Sequence, residues 1–197
     1  MKLILFDFDG VLVDTLLPCY QISKEVNEDM TLAKFQTFFE GNIYNAFIKA
    51  GFKLRPDYWV HYDQRLREIK VPPELKNIAK DLASKYTLAI ISSTPKSSIV
   101  KILEKEKLSQ YFQDILGTDV HTNKTLKIKM ILDKYSQSSQ DAVFVTDTLG
   151  DILEAMACGV RSIAVSWGFH TTEILQKGNP QKIIDKPKDL ISAIEEI

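Results

Sequence analysis

Cysteine is scarce in this chain: Cys19 and Cys158 stand far apart and outside any CxxC or Cys/His cluster. That excludes a disulfide framework and a zinc site of ordinary ligand spacing, and it suits a reducing, cytoplasmic setting. Glycine and proline are also few, eight and seven in 197 residues. With 45% hydrophobic and 26% charged residues, the chain is neither collagenous, low-complexity nor disordered. Neither charge dominates, because 25 Lys and Arg face 26 Asp and Glu. A nucleic-acid or anionic-membrane binder would carry a basic excess, so neither partner is expected. No apolar run reaches the roughly 18 residues needed to cross a bilayer. The opening MKLILF is interrupted by Asp7, Asp9 and Asp14 before it reaches the length of a secretory h-region. Function therefore has to sit in a local site.

What is present is a strand–helix alternation. Short apolar runs without polar alternation occur at Leu3–Phe6, Leu88–Ile91, Ala142–Val145 and Ser162–Val165, the signature of strands buried on both faces of a parallel sheet. Ile115-Leu116 reads as a further short strand. Helical spacing lies between them: Ile99, Ile102 and Leu103 after a Thr94-Pro95 start, Leu126 to Tyr135, Ile152 to Ala157, and a closing helix from Leu190. This pattern predicts an α/β fold with a doubly wound, Rossmann-like parallel sheet. The length, about 1.3 typical domains, leaves room for one insertion. Thr15 to Val71 supplies it: there is no convincing strand there, several helix-like stretches, and ten of the nineteen aromatic residues. Asp14-Thr15 can cap a helix at its entry, and Pro72-Pro73 stiffens the return. The expected organisation is a core of residues 1–14 and 72–197 with a helical cap at 15–71. The aromatic residues there are expected to be mainly the cap's own core.

The sharpest feature follows the first strand: Asp7-Phe8-Asp9-Gly10. Carboxylates at a strand's C-terminal end lie on the edge where open α/β sheets bind ligands. Gly10 allows the sharp turn that presents Asp7 and Asp9 to one pocket. A second acidic group, Thr146-Asp147-Thr148-Leu149-Gly150-Asp151, follows the Ala142–Val145 strand. If the two strands are neighbours, three or four carboxylates converge, and that charge requires a cation. Oxygen donors of this kind suit Mg²⁺. Ser92 and Ser93 end another strand, and the following helix is expected to aim backbone N–H groups at the same edge, a setting for phosphate. Lys124 adds a positive charge, with Lys127 one turn later as the alternative.

Together these residues resemble the haloacid dehalogenase-like hydrolase superfamily, in its branch with an inserted helical cap. Asp7-Phe8-Asp9-Gly10-Val11 fits the family's DxDG[TV] motif, Ser92 its Thr/Ser at a strand end, Lys124 its basic residue, and Thr146–Asp151 its GDxxxD, with Thr146 in place of the usual Gly. The resemblance implies an Mg²⁺-dependent phosphatase acting on a small-molecule phosphomonoester. Asp7 would be the nucleophile, forming an aspartyl-phosphate, and Asp9 the general acid and then base. Ser92, Ser93 and Lys124 would hold the phosphoryl oxygens. The Asp7 carboxylate, the Asp9 backbone carbonyl and Asp147 would hold the metal, steadied by Asp151. A phosphomutase, or a catalytically silent phosphate-binding scaffold, would use the same residues; a true dehalogenase would not need Asp9 and Asp147. Substrate choice is expected in the cap, with Glu40-Gly41-Asn42 as a candidate loop. His61, His121 and His170 share no spacing and are not expected to be catalytic, His170 coming nearest to the site. The residues leave the oligomeric state open.

Overall fold

A computed structural model describes residues 3–197; Met1 and Lys2 lie outside the described residues. Six parallel strands form one sheet: β1 (Leu3–Phe6), β2 (Thr87–Ile91), β3 (Asp114–Leu116), β4 (Ala142–Thr146), β5 (Arg161–Val165) and β6 (Lys182–Ile184), in the order β3-β2-β1-β4-β5-β6. The chain winds outward from β1 through β2 to β3, then crosses to β4 and winds the other way. The reversal between β1 and β4 leaves a crevice at the strands' C-terminal ends, where this topology binds ligands. In register, Phe6 pairs with Val145, so Asp7 and Thr146-Asp147 emerge side by side.

Successive residues of β1 face opposite sides of the sheet. Ile4 and Phe6 join the cluster containing α5 (Pro73–Ala83), α6 (Lys96–Lys105) and α10 (Leu190–Glu195). Leu3 and Leu5 face α7 (Lys124–Lys134) and α8 (Leu149–Met156). Both faces are covered, which explains the unbroken apolar runs. The short β6 and α9 (Thr172–Gln176) complete the far edge. Neither is long enough to carry a periodic signal in the sequence.

Between β1 and α5 the chain is helical: α1 (Leu16–Lys24), α2 (Leu32–Thr37), a 3-10 turn at Phe38–Glu40, α3 (Ile43–Ala50) and α4 (Tyr58–Leu66). Phe35, Phe38, Tyr58 and Tyr62 belong to the same buried cluster as Ile4 and Phe6. The insertion thus packs onto the sheet domain through a continuous apolar core. Inside it, Phe47 stacks on Phe52 with centroids 4.1 Å apart, and Phe38 meets both edge-on.

One expected helix start is misplaced, and one expected cap makes no capping bond. Pro95, not Thr94, is the N-cap of α6, because the Thr94 hydroxyl is drawn to Asp9. Its first N–H, on Lys96, is satisfied by the Asp119 carboxylate at 2.7 Å, so that amide is not free for an anion. Thr15 occupies the N-cap position of α1 without capping it, and its hydroxyl also goes to Asp9.

Candidate active site

The loop after β1 is fixed by its backbone. Asp7 N–H donates to Val145 at 2.9 Å, extending the β1–β4 ladder by one residue, and Gly10 N–H donates to Val13. Gly10 has φ +73°, and a Cβ there would sit 1.9 Å from an Asp147 carboxylate oxygen. Glycine is therefore required twice over, by the left-handed turn and by the close approach of Asp147.

Asp7 is buried. Its Oδ1 accepts the Phe8 N–H, and its Oδ2 accepts Lys124 Nζ at 2.8 Å. Lys124 also donates to Asp151 Oδ2 at 2.7 Å, bridging the two acidic loops. The same Asp151 oxygen receives the Thr146 hydroxyl at 2.7 Å. Thr146, which stands where the resembling family usually has Gly, thus gives Asp151 a donor that glycine lacks. Lys127 goes elsewhere: fully buried, it donates to the carbonyls of Ser92 (2.5 Å) and Gly117 (3.4 Å). Of the two candidate lysines, the structure brings Lys124 to the carboxylates.

Asp9 turns its side chain away from this group into a ring of hydroxyls. Oδ1 accepts from Thr15 at 2.7 Å and from Tyr62 at 2.5 Å; Oδ2 accepts from Thr94 at 2.7 Å and, at the limit, from Ser92 at 3.5 Å. Among these the sequence marked only Ser92 as a site residue. Thr15 and Thr94 sit close enough in sequence to quoted motif residues to have been found, but nothing local marks Tyr62, which arrives from α4. Ser93 lines the cleft, and its carbonyl accepts the Tyr44 hydroxyl at 3.1 Å.

Asp147 is wholly buried. Its Oδ2 accepts the Phe169 N–H at 2.7 Å, while its Oδ1 has no partner. The expected convergence of three or four carboxylates is thus only partial. Among the described residues no three His, Cys, Asp or Glu side chains are grouped as a ready-made metal cage. The protonation directions reflect the crowding. Burial, opposed by Lys124 and reinforced by Asp151, raises Asp7 well above the usual carboxylate range. Burial likewise pushes Asp147 up to about 8. Burial also acts on Asp151, but Lys124 and hydrogen bonds outweigh it and hold that carboxyl low. One ammonium group cannot balance three buried carboxylates, and a cation beside the orphaned Asp147 Oδ1 would.

The insertion roofs this edge. A cleft over Asp7, Asp9, Lys124 and Asp151 is closed above by residues of α2, α3, α4 and their connecting turns. Seven of the insertion's ten aromatic residues line it, the exceptions being Tyr20, Phe38 and Phe52. The expectation that these rings serve mainly as packing is therefore revised: most do both. Within the candidate loop, Gly41 and Asn42 line the cleft and Glu40 does not. The Asn42 side chain is spent on docking, with its Nδ2 3.1 Å from Glu154 and 3.2 Å from the Thr122 carbonyl. His170 does not line the cleft. It is a buried tie, taking the Leu149 N–H on Nδ1 at 3.0 Å and placing Nε2 3.0 Å from the Gln36 carbonyl. His61 pairs with Asp57 and His121 with its own turn, both away from the site.

Known proteins resemble this chain in sequence and in fold. The chain is 24% identical over 221 aligned residues to a phosphoglycolate phosphatase from Aliivibrio fischeri, covering 98% of this chain and 96% of that one. It is 35% identical over 111 residues to a probable phosphatase, IndB, from Dickeya dadantii, covering 55% of this chain and 48% of that one. Among solved structures, a haloacid dehalogenase-like family hydrolase from Streptococcus pneumoniae superposes with a TM-score of 0.80 at 21% identity, covering 98% of both chains. A hydrolase from Pseudomonas syringae superposes with a TM-score of 0.81 at 16% identity, covering 100% of this chain and 99% of that one. At these identities the superpositions establish the fold. The haloacid dehalogenase-like hydrolase profile itself matches residues 4–165, a span that includes both acidic loops, the serine loop, Lys124 and the helical insertion. With that match over most of its length, the chain belongs to the haloacid dehalogenase-like hydrolase family.

Proposed function

We propose that this protein is an Mg²⁺-dependent phosphomonoesterase that acts on a small-molecule ester through an aspartyl-phosphate on Asp7, with residues 15–71 acting as a cap over the core. The observation that carries the reading is the Lys124 bridge between Asp7 and Asp151, beside the buried and unpartnered Asp147 Oδ1. The names of the relatives, phosphoglycolate phosphatase and probable phosphatase, support the same reaction class.

Asp7 attacks the phosphorus as the bond to the leaving oxygen breaks, and Asp9 gives that oxygen a proton. Asp9 then takes a proton from the water that attacks the acyl phosphate, and cleavage of the bond to Asp7 restores its carboxylate. Lys124, Ser92 and Ser93 hold the phosphoryl oxygens. The Ser92 oxygen accepts the Thr94 N–H at 2.9 Å, and its own proton has only a 3.5 Å contact with Asp9, which leaves it a donor for a phosphoryl oxygen. The Asp7 carboxylate, the Asp9 main-chain carbonyl and Asp147 offer oxygens to Mg²⁺, with Asp151 behind them, and the orphaned Asp147 Oδ1 fits a hard cation. When bound, the ion supplies the positive charge that lets an anionic nucleophile approach an anionic phosphate.

Two measurements test this. Phosphate release from a panel of small esters should require Mg²⁺ and stop with EDTA, and acid-quenched protein should carry a phosphoryl group on Asp7. Release that survives EDTA, or label on another residue, would contradict it. Independently of turnover, Mg²⁺ at about 100 times its Kd should stabilise the fold by about 2.7 kcal/mol. Asp147→Asn should lose most of that shift; an undiminished shift would remove Asp147 from the metal set.

A further inference from the structure

The part of the cleft that a leaving group would occupy has an unusual charge pattern. Twelve of its lining residues come from the insertion, and none is Lys, Arg, His, Asp or Glu. Phe39, Ile43, Phe47, Leu54 and Trp59 make up much of the wall. The polar tips among these twelve residues are largely occupied. Tyr44 is bound to Ser93 and Thr118, Asn42 to Glu154 and Thr122, and Tyr62 to Asp9. Among the described residues Lys124 is the only cation on the lining, and it is held at the phosphoryl end of the cleft between Asp7 and Asp151. The charged group of the wall nearest Asn42 is Glu154, an anion.

A phosphate ester whose alcohol carries a carboxylate would bring a second negative charge into this space. No side chain from the insertion could pair with it, and Glu154 would repel it. A charge buried without a partner is strongly unfavourable, whereas a flat apolar ring meets aromatic walls edge-on or offset at no such cost. Resting on the phosphomonoesterase reading, we propose that the substrate is a phosphate ester of an uncharged, ring-bearing apolar alcohol. Phosphoglycolate, the substrate named for several relatives, is then a poor substrate of this chain. The preference is set by this chain's own roof, which carries no cation.

Benzyl phosphate and phosphoglycolate provide a fair comparison, since both are esters of primary alcohols, and glycerol phosphate adds an uncharged but polar arm. With Mg²⁺ present, kcat/KM for benzyl phosphate should exceed that for each of the others by at least about tenfold. Phosphoglycolate or glycerol phosphate turning over as well as benzyl phosphate would overturn the inference and leave the hydrolase reading intact. The inert analogues benzylphosphonate and phosphonoacetate separate the two ideas, because their binding, followed by calorimetry, needs no chemistry. Benzylphosphonate should bind at least about tenfold more tightly; equal or tighter binding of phosphonoacetate would overturn the inference. Tight benzylphosphonate binding with no release from any ester would sustain the assignment of the cleft and count against the hydrolase reading alone.

Discussion

Asp9 shows how little of a site's chemistry one motif specifies. Its position in Asp7-Phe8-Asp9-Gly10 was legible, but its partners were not: Tyr62 comes 53 residues later from a different helix. On the proposed function, Tyr62→Phe leaves the ring in place and removes one charge-assisted hydrogen bond of about 1.5–3 kcal/mol. kcat should fall by about tenfold or more, and an unchanged kcat in steady-state assays would mean that Tyr62 does not position Asp9. Lys127 teaches the complementary lesson. As one of two lysines a turn apart it was a candidate for the catalytic charge, yet it is fully buried against two carbonyls and no carboxylate. Burial, then repulsion from Lys124, lowers its pKa to about 8 from 10.5. The unfolded chain therefore holds a proton that the folded chain has released between about pH 8 and 10.5, so stability from this group rises with pH across that window. The shift corresponds to about 3 kcal/mol. Urea melts of Lys127→Met should lack that part of the wild-type rise; the same pH slope in both proteins would show that Lys127 stays protonated throughout.

At the scale of elements, strands buried on both faces were the most legible. β1, β2, β4 and β5 announce themselves by continuous apolar runs, whereas β6 has three residues and α9 five, too few to show a period. The start of α6 was misplaced because Thr94-Pro95 satisfies the local capping rule, while the hydroxyl is claimed by Asp9, distant in sequence. Tertiary demand decided that position. The fit of the insertion on α8 was likewise invisible from sequence. A Cβ on Gly150 would lie 2.3 Å from the Gly41 carbonyl oxygen and 2.8 Å from that of Phe39, so the turn that carries Asn42 rests on bare backbone. Gly150→Ala should force these elements apart and cost about 1–3 kcal/mol. Thermal melts check this: a Tm equal to or above wild type, from the helix-favouring alanine, would mean that the turn moves aside freely.

For the whole molecule, near-neutral composition conceals a local imbalance. Twenty-five basic and twenty-six acidic residues nearly cancel, but the edge between β1 and β4 gathers Asp7 and Asp151 around one lysine and buries Asp147 without one, under a roof without charge. The parallel sheet follows from the alternation of strands and helices in the sequence, whereas the order that sets β4 beside β1 comes from the structure; the helical stretch between β1 and β2 was visible as a gap in that alternation. The chemistry of the roof was not visible, because aromatic residues that pack a small helical unit and those that line a cleft share the same spacing. The central claim is that Asp7 forms a covalent phosphoryl intermediate. The most direct measurement is phosphate release by wild-type protein and by Asp7→Asn, with Mg²⁺ and the same ester. An amide cannot form the acyl phosphate, so release should fall to the uncatalysed background. Retention of more than about a tenth of wild-type activity, less than 1.4 kcal/mol of barrier, would contradict the account.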